Sequence, residues 1–408
     1  DALLLVRAWE VADGKEKGSW KNWREPLSNS RIAGYKEMGE LFSPLGIEWI
    51  ITTHPITGSP ENKINSASPE DYEIILKQAE AVISCGGSFM FQYDDTRYPR
   101  NPAETAKYPH GYTADYDFIT RVTDALSKKY PDAKFYFCPP MYWGPRDNPN
   151  YPDKREDYLG HIQKFPQSIG FTWNGPTVCS TKISPQNVKW ARKSYGRKPI
   201  LLIFGGPSNI ERYHFFTEAV PAWSQWYYSG MEKELDGTLL GTNQPQYLLL
   251  TLTYVDYWHN PKAYHPERSI RRAFDSLIGK ESFSDAQKIT HELQKMNRYG
   301  LAITPYIIRN KAEIQHFLAK AQNLYKQAVQ KNPSLGKWTS YEIYFRIFGA
   351  TLNRAQKMEA SAFQKNLIQL QSDAAKETDF NQETDLLFTP YDFGGGASPL
   401  FYAYRCEK

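Results

Sequence analysis

Residues 86–99 read GGSFMFQYDDTRYP, so two adjacent aspartates, Asp94 and Asp95, close a short aromatic and apolar run. Carboxylates side by side raise each other's cost of ionisation. On a solvated turn the pair is tolerated and does nothing. In an enclosed site it splits: one carboxylate stays ionised while the other keeps its proton, which separates base from acid work. Successive side chains on an extended strand point to opposite faces, so the two need not be equivalent, and a turn at the strand end could aim both into one mouth. Other chemistry-bearing residues fall in similar places, just after apolar runs: His54 in TTHP, Tyr142 in CPPMYW, Trp173 and Asn174 in FTWNG, and Asn243 in GTNQP. His54 reads as a structural histidine at a strand end. Tyr142 and Trp143 read as a stacking platform or as core.

The elements that must hold these residues alternate. Extended, β-branched or aromatic runs occur at 3–10, 47–55, 88–95, 134–140, 168–175, 199–207 and 237–245. Helical segments separate them. One follows Ser28 and stops at Pro44 and Gly46. The clearest begins at Ser68, which can cap it, with Pro69 at its first position and Glu70 and Asp71 at its positive end. Its apolar residues Tyr72, Ile75, Ala79, Val82 and Ile83 recur at helical spacing, and Gly86–Gly87 can end it. A third helix is expected over about 114–130.

Strands alternating with helices imply parallel pairing, in a doubly wound sheet or a closed barrel. A doubly wound sheet concentrates function at one switch point. Here special residues follow five different strands, which favours a (β/α)8-type TIM barrel with its site on the C-terminal rim. The strand count is seven, one short of eight. From about residue 283 the periodicity is helical, without convincing strands, and predicts a helical bundle with an irregular C-terminal tail. The expected division is a barrel over 1–280 and a bundle over 281–408. GGG at 394–396 lacks the strand–helix setting and lysine of a phosphate loop.

Bulk composition narrows the function classes. The 408 residues are 41% hydrophobic and 23% charged, with a net charge of +4 spread along the chain. That argues against a nucleic-acid or anionic-membrane partner, and no apolar run is long enough to span a bilayer. Aromatic residues make up 15%, including 28 Tyr and 11 Trp, as in clefts that stack on sugars. The four cysteines, Cys85, Cys138, Cys179 and Cys406, lack metal-ligand spacing and read as small buried hydrophobes. The chain starts without Met or a signal peptide, as a processed product would, and a secreted or periplasmic setting is slightly favoured.

In context, the aspartate pair resembles the catalytic core of glycoside hydrolase family 84, the retaining β-N-acetylglucosaminidases that include the protein O-GlcNAcases. The family's apolar run ending in Asp-Asp is similar to Phe89–Asp95. Its Val-Pro-Thr-Glu-Tyr strand end resembles CPPMY, its Trp-Thr-Gly resembles TWNG, and its Thr-Asn-Pro resembles GTNQP. WKNWREPLS and IEWIITTHP also look like family segments. The resemblance covers roughly residues 20–280 well and the helical region loosely.

The resemblance implies a substrate-assisted mechanism, in which the sugar's own 2-acetamido oxygen attacks the anomeric carbon and forms an oxazoline-like intermediate. By family position Asp94 orients the acetamido N–H and stabilises its developing charge, while Asp95 protonates the leaving oxygen and then takes a proton from water. Tyr142 would hydrogen-bond the acetamido oxygen, Trp173 and Asn174 would line the pocket, and Asn243 would contact the sugar. No metal and no cofactor is implied; the implied partner is a carbohydrate or glycoprotein.

This sequence also departs from the family. Where members carry Trp-x-Asn and then an aspartate that grips ring hydroxyls, it reads IFGGPSNIERY, placing Phe204, Gly206 and Glu211 at those positions. Glu211 or Asn209 would have to substitute. The family's first strand, with its Gly-Phe-Tyr-Gly signature, has no counterpart, which accounts for the count of seven. These departures leave two other readings open: a glycosidase for another 2-acetamido sugar or an internal glycan linkage, and a non-catalytic carbohydrate-binding barrel.

Overall fold

The computed structural model describes residues 2–7, 23–56, 60–94, 96, 98–145, 155–176, 180, 183–203, 223, 227–240, 248–295, 309–339, 341–357, 362 and 365. The chain divides into two compact units, Asp1–Phe204 with Trp226–Gly241, and Gly205–Gln225 with Thr242–Lys408.

The first unit is built on seven strands: β1 (Ala2–Arg7), β2 (Ile47–Thr53), β3 (Ser88–Gln92), β4 (Phe135–Cys138), β5 (Ile169–Trp173), β6 (Ile200–Ile203) and β7 (Gly237–Leu240). All pair in parallel, in the order β1-β2-β3-β4-β5-β6-β7. That order never reverses, so the sheet has no switch point of the doubly wound kind. It curls instead, bringing Cα atoms of its edge strands β1 and β7 within 8 Å. Helices α1 (Asn29–Phe42), α2 (Pro69–Ile83), α3 (Gly111–Lys129), α4 (Arg155–Ile162) and α5 (Pro185–Tyr195) fall between successive strands. A curled parallel sheet with crossover helices is the arrangement of a TIM-like α/β domain.

Local chemistry explains where the helices start and stop. The Ser28 side chain accepts from the Arg31 N–H at 3.2 Å, and Ser68 does the same for Asp71 at 3.2 Å. Pro69 stands in the first turn of α2, where its missing N–H costs nothing. After α1 a short 3-10 turn, Ser43–Leu45, ends on Gly46 in the left-handed region at φ 65°. Gly87, just before β3, is forced by packing: a Cβ there would lie 2.6 Å from the Trp49 ring.

The middle strands are buried on both faces, as in parallel sheets covered by helices. Phe89, Met90, Phe91, Phe135, Phe137, Phe171 and Ile169 have almost no exposed surface. Phe137 packs edge-on against Tyr93 and Phe171, with ring centroids 5.6 and 6.0 Å away. The N-terminal ends of the strands are tied by Glu48 on β2. Its carboxylate accepts from Ser88 at 2.7 Å, from Lys134 at 2.7 Å and from the Tyr136 hydroxyl. Burial pushes the Glu48 carboxyl up, but these donors outweigh it and hold the group below its ordinary range. Burial, with the Glu48 carboxylate beside it, drives the Tyr136 phenol up.

The second unit is helical among its described residues: α6 (Leu248–His259), α7 (Pro266–Leu277), α8 (Phe283–Gln294), α9 (Lys311–Lys331), α10 (Ser334–Trp338) and α11 (Tyr341–Ala355). Helix α9 packs along α8 and α11, and α6 packs on α7. A core of Ile270, Phe274, Ile289, Leu293, Ala321, Leu335, Tyr344 and neighbouring apolar residues runs through them. Inside it the Tyr341 hydroxyl donates to the Ala286 carbonyl at 2.8 Å and accepts from the Thr290 hydroxyl at 2.8 Å. No helix among the described residues is long and apolar enough to cross a membrane. Most of the expected helical region after residue 357 and the expected C-terminal tail lie outside the described residues, as do Cys179 and Cys406, whereas Cys138 is buried in β4.

Candidate active site

Because every strand runs in the same direction, the residues that follow the strands share one rim. His54 follows β2, Tyr93 and Asp94 follow β3, Tyr142 follows β4, and Asn174 follows β5. The pairing continues past the strands themselves. The Tyr93 N–H donates to the Cys138 carbonyl at 2.8 Å, the Asn174 N–H to the Tyr142 carbonyl at 2.7 Å, and the Gly144 N–H to the Gly175 carbonyl at 3.1 Å. The strand-end segments that carry Asp94, Tyr142 and Asn174 are therefore laced edge to edge by backbone bonds.

Asp94 is 1% exposed. Its Oδ1 lies 3.3 Å from Nε2 of His54, and neither atom has a well-formed hydrogen bond among the described residues. A buried carboxylate oxygen without a firm partner is unfavourable unless something is meant to meet it. Tyr142, Trp173 and Asn174 are also buried, and the Trp173 indole N–H has no partner among the described residues. The structure thus places four of the eight expected site residues, Asp94, Tyr142, Trp173 and Asn174, on three adjacent strand ends. Asp95, Asn209, Glu211 and Asn243 lie outside the described residues, as do Phe204 and Gly206.

Behind the β3 end lies a cluster that the sequence gives little sign of. The Arg100 guanidinium stacks over the Tyr93 ring at 4.7 Å and is itself fully buried. It pairs with Asp115 at 2.5 Å and with Glu104 at 3.2 Å. Glu104 also accepts from the Ser66 and Arg100 backbone N–H groups, and Asp115 from the Tyr158 hydroxyl at 2.8 Å. One cation thus faces two carboxylates out of water. Burial pushes the Asp115 carboxyl up to about 6, against the pull of Arg100 and Tyr158. Burial drives the Tyr93 phenol up as well, so it stays protonated.

The contact of His54 with Asp94 and the burial of Arg100 are what sequence reasoning did not foresee. For His54 a signal existed, a histidine at a strand end one strand away from the aspartates. For Arg100 there was none, since its burial depends on Asp115 of α3 folding back onto it as well as on nearby Glu104. Among the described residues no group of three or more His, Cys, Asp or Glu is placed to hold a metal ion.

Comparisons with known proteins bear on the fold and the family. Among solved structures, the chain is similar to an O-GlcNAc hydrolase of Thermobaculum terrenum carrying an Asp-to-Asn substitution. The identity is 18% over 92% of this chain and 83% of that one, with a TM-score of 0.59. It is also similar to the protein CpGH84B, at 16% identity over 92% of this chain and 66% of that one, with a TM-score of 0.53. At such identities the likeness bears on the fold. A comparison with curated proteins gave no match. A family model for β-N-acetylglucosaminidases matches residues 15–292, well over half of the chain, and the chain therefore belongs to that glycosidase family, glycoside hydrolase family 84.

Proposed function

We propose that the chain removes β-linked N-acetylglucosamine by a retaining, substrate-assisted route, using Asp94 and Asp95. The observation that carries this reading is Asp94 itself: a fully buried carboxylate at a barrel-type strand end, in a chain whose family cleaves this sugar. In the reading, the substrate's 2-acetamido oxygen attacks the anomeric carbon and displaces the aglycone. Asp94 accepts the acetamido N–H and opposes the positive charge that grows on the forming oxazoline ring. Asp95 donates a proton to the leaving oxygen, then withdraws one from the water that opens the ring. Tyr142 hydrogen-bonds the acetamido oxygen, Trp173 and Asn174 wall the pocket, and Asn243 holds the sugar. Glu211 or Asn209 takes over the grip on the ring hydroxyls. The catalytic domain in this reading is a (β/α)8-type barrel over 1–280 whose first strand is not in this chain, followed by a helical bundle over 281–408.

A second reading is motivated by Gly206, which offers no side chain where the family has an asparagine. A pocket altered there would suit another 2-acetamido sugar or an internal linkage.

The test is release of an aryl group from an aryl β-N-acetylglucosaminide by the wild type, Asp94→Asn and Asp95→Asn. Turnover that falls in both variants, and falls less in Asp95→Asn when the leaving group needs no proton, supports the first reading. A folded wild type that releases nothing from this substrate, yet cleaves an N-acetylgalactosaminide or an internal linkage, supports the second.

A further inference from the structure

We propose that His54 is a positioning residue for Asp94: its Nε2–H holds Oδ1 of the carboxylate and leaves Oδ2 for the substrate's acetamido N–H. The inference rests on the reading of Asp94 just given.

The register puts the two residues within reach. Thr53 of β2 pairs with Phe91 of β3, so His54 stands level with Gln92. Asp94 lies one strand repeat further on, on the same side as Gln92. Two residues of strand span about 6.6 Å, a gap that the length of an imidazole can bridge towards the rim. In the structure Nε2 and Oδ1 lie 3.3 Å apart.

The surroundings anchor the segment that carries His54. Pro55 follows His54 and keeps its backbone extended. The Pro55 carbonyl accepts from the Ile64 N–H at 2.7 Å, and Ile56 is buried, so the histidine sits on an anchored segment. Its side chain is 25% exposed while that of Asp94 is 1% exposed. The imidazole lies within contact distance of Oδ1, an atom with no other ion-pair partner and no aligned hydrogen bond among the described residues. A carboxylate free to rotate about χ2 would present its oxygens to the acetamido group in varied directions. Held at one oxygen, it presents the other in a fixed direction, and the reaction depends on such alignment.

The experiment is a double-mutant cycle on aryl β-N-acetylglucosaminide hydrolysis, with melting temperatures measured alongside. The variants are His54→Phe, His54→Gln, Asp94→Asn and the double variant His54→Phe with Asp94→Asn. Glutamine can place an N–H near the position of Nε2; phenylalanine keeps the ring and loses the donor. His54→Phe is expected to lower kcat about 10- to 100-fold with KM changed less than about threefold, the mark of an interaction used mainly in the transition state. His54→Gln recovers most of that loss. In the Asp94→Asn background, His54→Phe changes kcat by less than about threefold, because the two residues act as one unit. An equal fold-loss in both backgrounds, or a loss in KM alone, overturns the proposal.

Absence of turnover in the folded wild type would remove the reading of Asp94 and the catalytic part of this proposal together. The pairing is then decided by stability. His54→Phe should lower Tm by about 3–6 °C when Asp94 is present and by much less in the Asp94→Asn background, since only the carboxylate suffers from losing its donor. Equal shifts in the two backgrounds would dispose of the pairing as well.

Discussion

Asp94 is buried and its Oδ1 has no aligned hydrogen bond among the described residues, and the proposed reaction gives that arrangement a use. An acetamido N–H arriving at the carboxylate supplies a hydrogen bond that strengthens as positive charge grows on the oxazoline, which is differential stabilisation of the transition state. Asp94→Asn keeps the shape and loses the charge, and kcat on an aryl N-acetylglucosaminide is expected to fall about 100-fold or more, read as aryl release. Asp115, within the Arg100 cluster, makes a different prediction. Its folded value of about 6 lies above its ordinary 3.8, so the folded state holds the proton more tightly. The stabilisation from that proton is complete below the ordinary value and is lost as pH rises through about 6. Melting temperatures of wild type and Asp115→Asn, compared at pH 4.5 and pH 7, should shift in favour of the variant as pH rises. A constant difference would mean that the group does not titrate in that window. Neither the Asp115 cluster nor the His54 contact could be read from spacing. Arg100 and Asp115 belong to a loop and a helix that fold onto each other, and His54 and Asp94 are 40 positions apart, joined only by strand register.

At the scale of elements, the strands and helices of the first unit follow from composition and punctuation. Ser68 and Pro69 start α2 as the sequence predicts, and Ile75, Ala79, Val82 and Ile83 are its buried face. The seven apolar runs became seven parallel strands. What the pattern could not convey is where charges would be drawn inward. Asp71 reads as an exposed acid complementing the helix dipole, yet it is buried and holds Arg24 at 2.8 and 2.9 Å as well as the Asn65 N–H. Glu48 is the corresponding case on a strand, fastening β2 to β3 and β4. Glu48→Gln is expected to cost about 1–2 kcal/mol at pH 7, because it weakens bonds to a charged acceptor. Its depressed folded value means the contribution is present above the unfolded pKa and is lost as pH falls through the folded one. Thermal unfolding of the two proteins should therefore converge on acidification; a gap that widens in acid would contradict the arrangement.

For the whole molecule, the proposed chemistry needs no group from outside the chain other than substrate and water. In that proposal the sugar brings its own nucleophile, and two carboxylates divide the remaining tasks. Prolonged treatment with EDTA, followed by assay in metal-free buffer, should leave aryl release unchanged. A loss restored by one divalent ion would require a different mechanism. Where the chemistry and the fastening of the sheet sit is also informative. Glu48, Ser88, Lys134 and Tyr136 bind the strands at their starts, while His54, Asp94, Tyr142 and Asn174 lie past their ends. Substitutions that would retune the proposed sugar pocket thus fall at the opposite ends of the strands from the contacts that tie β2, β3 and β4. A lineage with this layout can explore new glycans by changing one rim while the other keeps the protein folded, so divergence in specificity need not wait for compensating mutations.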